Sequence, residues 1–192
     1  MKRNFLTAVL LSVFILPMFA QNDVLVVFNH KVNFGMRIAK NRRIDTIIIH
    51  SSYYNLGGDP YSFSNVLSLY RSYFVNAHYI IDRSGRVYNL VDECNIAFHA
   101  GRAVLPDGRS RGINDCSLGI EMISSETDSP TGAQMQSLVK LVKNIQQRHA
   151  IKFVLRHSDI SPDRKTDPWN FDWTLFLQKL QNQTTTVTLI KK

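Results

Sequence analysis

The chain has 192 residues, 23 Lys and Arg against 15 Asp and Glu, a net charge of +8 and 44% hydrophobic residues, which suits one domain with its own core. Beyond the first twenty residues no segment is apolar enough to cross a membrane as a helix. The positive balance suits an anionic partner or simply aids solubility, and the lack of a recognisable nucleic-acid motif speaks against DNA or RNA.

Lys2 and Arg3 precede an apolar stretch from Phe5 to Phe19, and Ala20 is the small residue expected before a cut. Residues 1–20 therefore read as a cleaved export signal. A membrane anchor is the alternative, but the run falls short of the roughly 20 residues that span a bilayer. Residues 21–42 are expected as an N-terminal extension, 43–182 as the single domain and 183–192 as a loosely held tail. For an exported chain the natural anionic partner is a cell-envelope polymer. Export also permits a disulfide between Cys94 and Cys116, with a buried free thiol as the even alternative.

Along the domain, short strands alternate with helices, which predicts an α/β fold: a central mixed β-sheet flanked by helices. Asp45 to His50 is a β-branched apolar run of the kind found in a central strand. From Ser62 to Phe74 the apolar residues Phe63, Val66, Leu67, Tyr70 and Phe74 fall at helical intervals. His78–Asp82 and Arg86–Val91, joined through Gly85, predict an antiparallel hairpin. Ser117 to Met122 is another strand, with Glu121 as a carboxylate inside an otherwise apolar segment. Thr131 and Gln134 have capping-box spacing before a helix ending near His149, and Phe153–Leu155 forms a strand leading to His157. A last helix runs from Asp172, its N-cap, to about Gln181 and buries Trp173, Phe176, Leu177 and Leu180.

His50 and His157 each follow a strand, so both rings can emerge at one sheet edge, and Asp167 lies a loop's length beyond. Two histidines and a carboxylate are the usual protein ligands of a catalytic zinc. Many loops hold a histidine and an aspartate without metal, so spacing alone leaves the choice open.

The segments Ile47–Ser52, Ala77–Gly85, Phe98–Gly101, Asn114–Glu121 and His157–Pro168 occur in this order, and together they resemble the type 2 N-acetylmuramoyl-L-alanine amidases. That zinc family includes phage lysozyme-type amidases and peptidoglycan recognition proteins; the resemblance is strongest to the anhydromuramyl-peptide branch and runs from about Arg43 to Leu180. It implies one zinc held by His50, His157 and Asp167, in a groove for peptidoglycan or muropeptides. The reaction implied is hydrolysis of the amide between the lactyl group of N-acetylmuramic acid and L-alanine. Zinc can lower the pKa of bound water towards about 7 and polarise the scissile carbonyl. In that scheme Glu121 accepts the water's proton and passes it to the leaving amine, and Lys165 stabilises the oxyanion.

His99, Asn114 and Arg111 are expected to contact substrate. Arg102, Arg109 and Arg111 lie in a glycine-containing loop suited to stem-peptide carboxylates. His78 is expected as a core or supporting residue, and His30 and His149 as ordinary surface residues. Two departures from relatives stand out. The phage-type tyrosine is replaced by Ala77, which puts more weight on Glu121, and the export signal moves the expected work from the cytoplasm to the periplasm or beyond. A monomer is expected. A recognition module without hydrolysis, and an antibacterial effector using the same chemistry, are the rival readings.

Overall fold

The computed structural model describes residues 23–182 and 187–192. The expected signal peptide at 1–20 lies outside the described residues. In chain order the strands are β1 (Asp23–Asn29), β2 (Met36–Arg37), β3 (Thr46–Ser52), β4 (Tyr79–Ile81), β5 (Val87–Asn89), β6 (Ile96–Ala97), β7 (Ser117–Ile123), β8 (Phe153–Arg156) and β9 (Val187–Lys191). The helices are α1 (Phe63–Tyr73), α2 (Ile113–Cys116), α3 (Gly132–Arg148), α4 (His157–Ile160) and α5 (Trp173–Asn182). Seven strands form one sheet in the order β8-β3-β7-β4-β5-β1-β9, with β2 and β6 as a separate antiparallel pair. The sheet is mixed: β4 and β5 are antiparallel, as their hairpin turn predicts, and the other neighbours are parallel.

Strand alternation sorts the central residues onto two faces. Ile47 and Ile49 of β3, Leu118, Ile120 and Met122 of β7, and Tyr79 and Ile81 of β4 pack with α3 and Phe176 of α5 in one cluster. On the opposite face Ile48 packs beneath the 100–113 loop, while Ile80 and Ile123 pack with Val66 and Tyr70 of α1. Both faces are covered, so Ile47, Ile48 and Ile49 are all fully buried; each such side chain contributes about 1.5–3 kcal/mol. His50, Gly119 and Glu121 fall by the same alternation on the second face, the one that carries the site.

Local chemistry sets the helix ends. The Ser62 hydroxyl caps α1 at the Asn65 N–H (3.4 Å), and Phe74 ends it in the left-handed region at φ 52°. Thr131 and Gln134 form the expected capping box on α3. The same Gln134 side chain donates to the Ile81 and Ile123 carbonyls at 3.0 and 2.9 Å, which ties the helix to β4 and β7. Asp172 accepts from the Leu175 N–H at 2.8 Å and starts α5 as expected.

Two expectations need correction, and one open alternative is decided. The supposed extension and tail supply β1 and β9, which pair in parallel from Asp23↔Val187 to Val27↔Lys191 at the outer edge of the sheet. The apolar, valine-rich run Val24 to Phe28 was the available signal, and Leu25 and Val27 are buried in the main cluster. His149 is not a free surface residue, since its Nε2 lies 2.8 Å from Glu93, which also binds Arg148 and Tyr79. Of the two alternatives left open for the cysteines, the free thiols are found, with Cys94 exposed and Cys116 half-buried.

Candidate metal centre

His50 lies near the end of β3, His157 opens α4 directly after β8, and the loop beyond α4 folds back so that Asp167 accepts a backbone hydrogen bond from Ser158 (2.9 Å). Because β3 and β8 are parallel neighbours, their carboxyl ends deliver both rings to one place. The two Nδ1 atoms are 3.0 Å apart, and the Asp167 carboxylate lies 3.1 Å from His157 Nδ1 and 3.5 Å from His50 Nδ1. One ligand atom from each residue falls within 4.8 Å of the other two, and all three residues are buried.

The fit to a metal ion follows from the donors themselves. Among the described residues this is the one group of histidine, cysteine and carboxylate side chains placed to hold an ion. Two imidazole nitrogens face each other beside a carboxylate, an arrangement that a bound cation satisfies, and two nitrogens with one oxygen suit zinc. Burial, and then His157, lower the His50 pKa to about 4. Burial works against Asp167 ionising, yet close contact with the His157 and His50 rings holds its carboxyl far below the usual range. His50 is therefore uncharged and Asp167 ionised at neutral pH, the forms that bind a metal.

Glu121 is the register partner of His50 across β3 and β7, which places its carboxyl beside the centre. Its Oε2 is buried without a hydrogen-bond partner. Burial and the Asp167 charge raise its pKa to about 8, while Ser52, Lys165 and Tyr70 pull the other way. Lys165 lies with Glu121 on a groove of about 590 Å³ whose lining also includes Tyr73, Phe98, Arg164 and Trp169. That volume lies within the range of ligand sites, about 300–1,000 Å³.

The sequence missed Ser52 and Tyr70, whose hydroxyls bond each other beside Glu121. Ser52 stands two residues after His50 on the same strand face, a signal that was present. Tyr70, on the buried side of α1, read only as core. His99 lines the groove, as expected, and also contacts His50, with Nδ1 3.1 Å from His50 Nε2. Asn114 and Arg111, expected to contact substrate, are not among the groove-lining residues. Asn114 Oδ1 instead accepts from the backbone of His99 and Ala100, and Arg111 is exposed on the loop before α2. Arg109 pairs with Asp45 and Asp107, away from the groove. His78 is buried, accepting from the Gly119 N–H at 3.1 Å, with the Arg42 guanidinium 3.2 Å from its other nitrogen.

Fold and site together define an α/β protein with two histidines and an aspartate placed to hold a metal ion at the carboxyl ends of parallel strands, in an open groove. The family model described as N-acetylmuramoyl-L-alanine amidase matches residues 40–170, and the chain belongs to that family. It is 38% identical over 114 residues to the 1,6-anhydro-N-acetylmuramyl-L-alanine amidase AmpD of Escherichia coli K12, a match covering 58% of this chain and 61% of AmpD, less than two thirds of its length. A crystal structure of a selenomethionine derivative of AmpD superposes with a TM-score of 0.63 and 29% identity over 78% of this chain and 93% of that one. The E. coli amidase AmiD, solved with anhydro-N-acetylmuramic acid-L-Ala-D-gamma-Glu-L-Lys, gives a TM-score of 0.62 and 30% identity over 73% of this chain and 59% of that one. The chain thus stands near the anhydromuramyl-peptide branch of the type 2 amidases.

Proposed function

We propose that the protein is an exported, zinc-dependent N-acetylmuramoyl-L-alanine amidase acting on peptidoglycan or its muropeptides. The observation that carries this reading is the convergence of His50, His157 and Asp167 beside Glu121 in a groove of about 590 Å³. The named substrates of AmpD and the peptide bound by AmiD support the substrate class. Export is supported by Lys2 and Arg3 before the apolar stretch 5–19.

In this reading His50, His157 and Asp167 hold the ion. When bound, zinc supplies Lewis acidity that polarises a carbonyl and acidifies water. Glu121 exchanges one proton with the groove: its carboxylate takes a proton from the attacking water and returns it to the nitrogen of L-alanine as the amide bond breaks. A pKa near neutrality, about 8 before the ion adds its charge, is what a group needs in order both to accept and to release a proton. The Ser52 and Tyr70 hydroxyls favour the ionised form, which is the one present before the first event and again after the second. Lys165 offers an ammonium to the oxyanion, a contribution worth about 2.7–4 kcal/mol when one such donor is lost.

Mass spectrometry of products tests the reading, using the zinc-loaded chain lacking residues 1–20 with anhydro-muropeptides and with purified sacculi. Free stem peptides beginning with L-alanine are expected, and Asp167→Ala should abolish both zinc binding and product. Intact substrates in both reactions, with zinc confirmed bound, would overturn the enzyme reading in favour of recognition alone.

A further inference from the structure

The protons around the two metal-facing histidines can be placed from their partners, because a carbonyl only accepts and a serine hydroxyl has one proton to give. Ser117 Oγ donates to the Ile113 carbonyl at 2.6 Å. Towards His99 Nε2, 3.3 Å away, it must therefore accept, so that His99 carries its proton on Nε2. His99 Nδ1 is then a bare lone pair, 3.1 Å from His50 Nε2, and it takes the His50 proton on that side. His50 Nδ1 is left facing the centre. His157 reaches the same state by another route, since its Nε2 lies 3.2 Å from the Ala100 carbonyl and must donate to it.

Both instructions come from adjacent residues. His99 gives His50 its tautomer through a side chain, and Ala100 gives His157 its tautomer through the backbone. That dipeptide is itself clamped. Asn114 Oδ1 accepts from the His99 and Ala100 N–H groups at 3.3 and 2.9 Å. The His99 ring meets the His50 and His78 rings edge to face, at centroid distances of 5.2 and 5.7 Å. It also lies directly over Gly119, where a Cβ would fall 2.5 Å from its Cγ.

We propose that His99 and Ala100, clamped by Asn114 and Ser117, are the positioning device of the metal centre: they fix His50 and His157 as Nε2–H tautomers, so that each presents Nδ1 to the ion. The proposal rests on the metal reading but not on any substrate. It gives His99 and Asn114 a role the groove alone does not, since both act through a ligand. Partners of this kind are typically worth about 10–100-fold in metal affinity.

Two readouts test it. Nitrogen-15 NMR of the zinc-free protein, at mildly alkaline pH where the rings are uncharged, should find the His50 and His99 protons on Nε2. In Ser117→Ala, His99 loses its preference and His50 gains an Nδ1–H population, while zinc affinity, measured by competition with a chromophoric chelator, falls about tenfold. His99→Leu should lose about 10–100-fold in zinc affinity. His99→Asn, whose Oδ1 can still accept from His50, should keep the wild-type value. A His50 proton found on Nδ1 in the wild type overturns the proposal, as does wild-type zinc affinity in both Ser117→Ala and His99→Leu. If His99→Leu does not fold, Ser117→Ala and His99→Asn decide. The expected tautomers without zinc binding would refute the metal reading and leave the positioning device standing, whereas zinc binding with the other tautomer would do the reverse.

Discussion

Gly119→Ala is a sharp probe of the centre, because it adds one methyl group at a position that touches no ligand. The new Cβ would stand 2.5, 2.8 and 2.9 Å from Cγ, Nδ1 and Cδ2 of His99. Ordinary carbon contacts lie at about 3.5–4.0 Å, so the ring must retreat by about 1 Å or more. His50, His78 and Ser117 crowd the ring, and its 3.1 Å contact to His50 cannot survive such a shift with good geometry. Overpacking of this kind costs about 1–3 kcal/mol. Loss of the partner that orients His50 should weaken zinc binding about 10–100-fold. Urea denaturation of the zinc-free variant measures the first effect, and a chelator competition titration the second. A variant as stable as the wild type that also binds zinc as tightly would refute the placement of His99 against Gly119.

Further predictions concern charge and the sheet edge. Glu121 has a folded pKa of about 8 against an ordinary 4.5, so its ionisation opposes folding: the penalty is absent at low pH, grows above 4.5 and is complete near 8. In zinc-free protein, Glu121→Gln should therefore gain stability relative to wild type across that window by a few kcal/mol; a pH-independent difference in urea midpoint would sink this account. Glu93 is the opposite case. Burial works against its ionisation, but Arg148 and His149 lower its pKa from 4.5 to about 2. Its contribution, about 3 kcal/mol from that shift, is present above pH 4.5 and lost as pH falls through 2. Glu93→Gln should lower stability at neutral pH and match wild type in strong acid, as read by thermal melts. Removing residues 187–192 strips β9 from β1 and exposes a new sheet edge, so lower stability and concentration-dependent aggregation are expected by light scattering.

Much of this site could be read from the chain because its chemistry is local to strand ends. The β-branched run before His50 and the apolar alternation around Glu121 placed both residues on strands, and period-2 geometry then puts His50 and Glu121 on one face once the strands are neighbours. The capping pairs at Thr131 and Asp172 fixed helix starts, because a cap satisfies its own backbone within three residues. The strands at the two ends escaped, since β1 and β9 stabilise each other only by pairing across nearly the whole chain. Ser52 and Tyr70 escaped for a related reason: nothing near Tyr70 in sequence indicates that α1 lays its hydroxyl beside Glu121.

By itself, then, the sequence determined most of the central elements and a donor set of two histidines and an aspartate, because residue type and short-range periodicity carry those properties. Only the tertiary structure decided which atoms meet. It turned Asn114 from an expected substrate contact into a backbone clamp and set His99 between Ser117 and His50. Proton positions and pKa values in a buried centre depend on partners within a few ångströms, and packing, not spacing along the chain, brings those partners together.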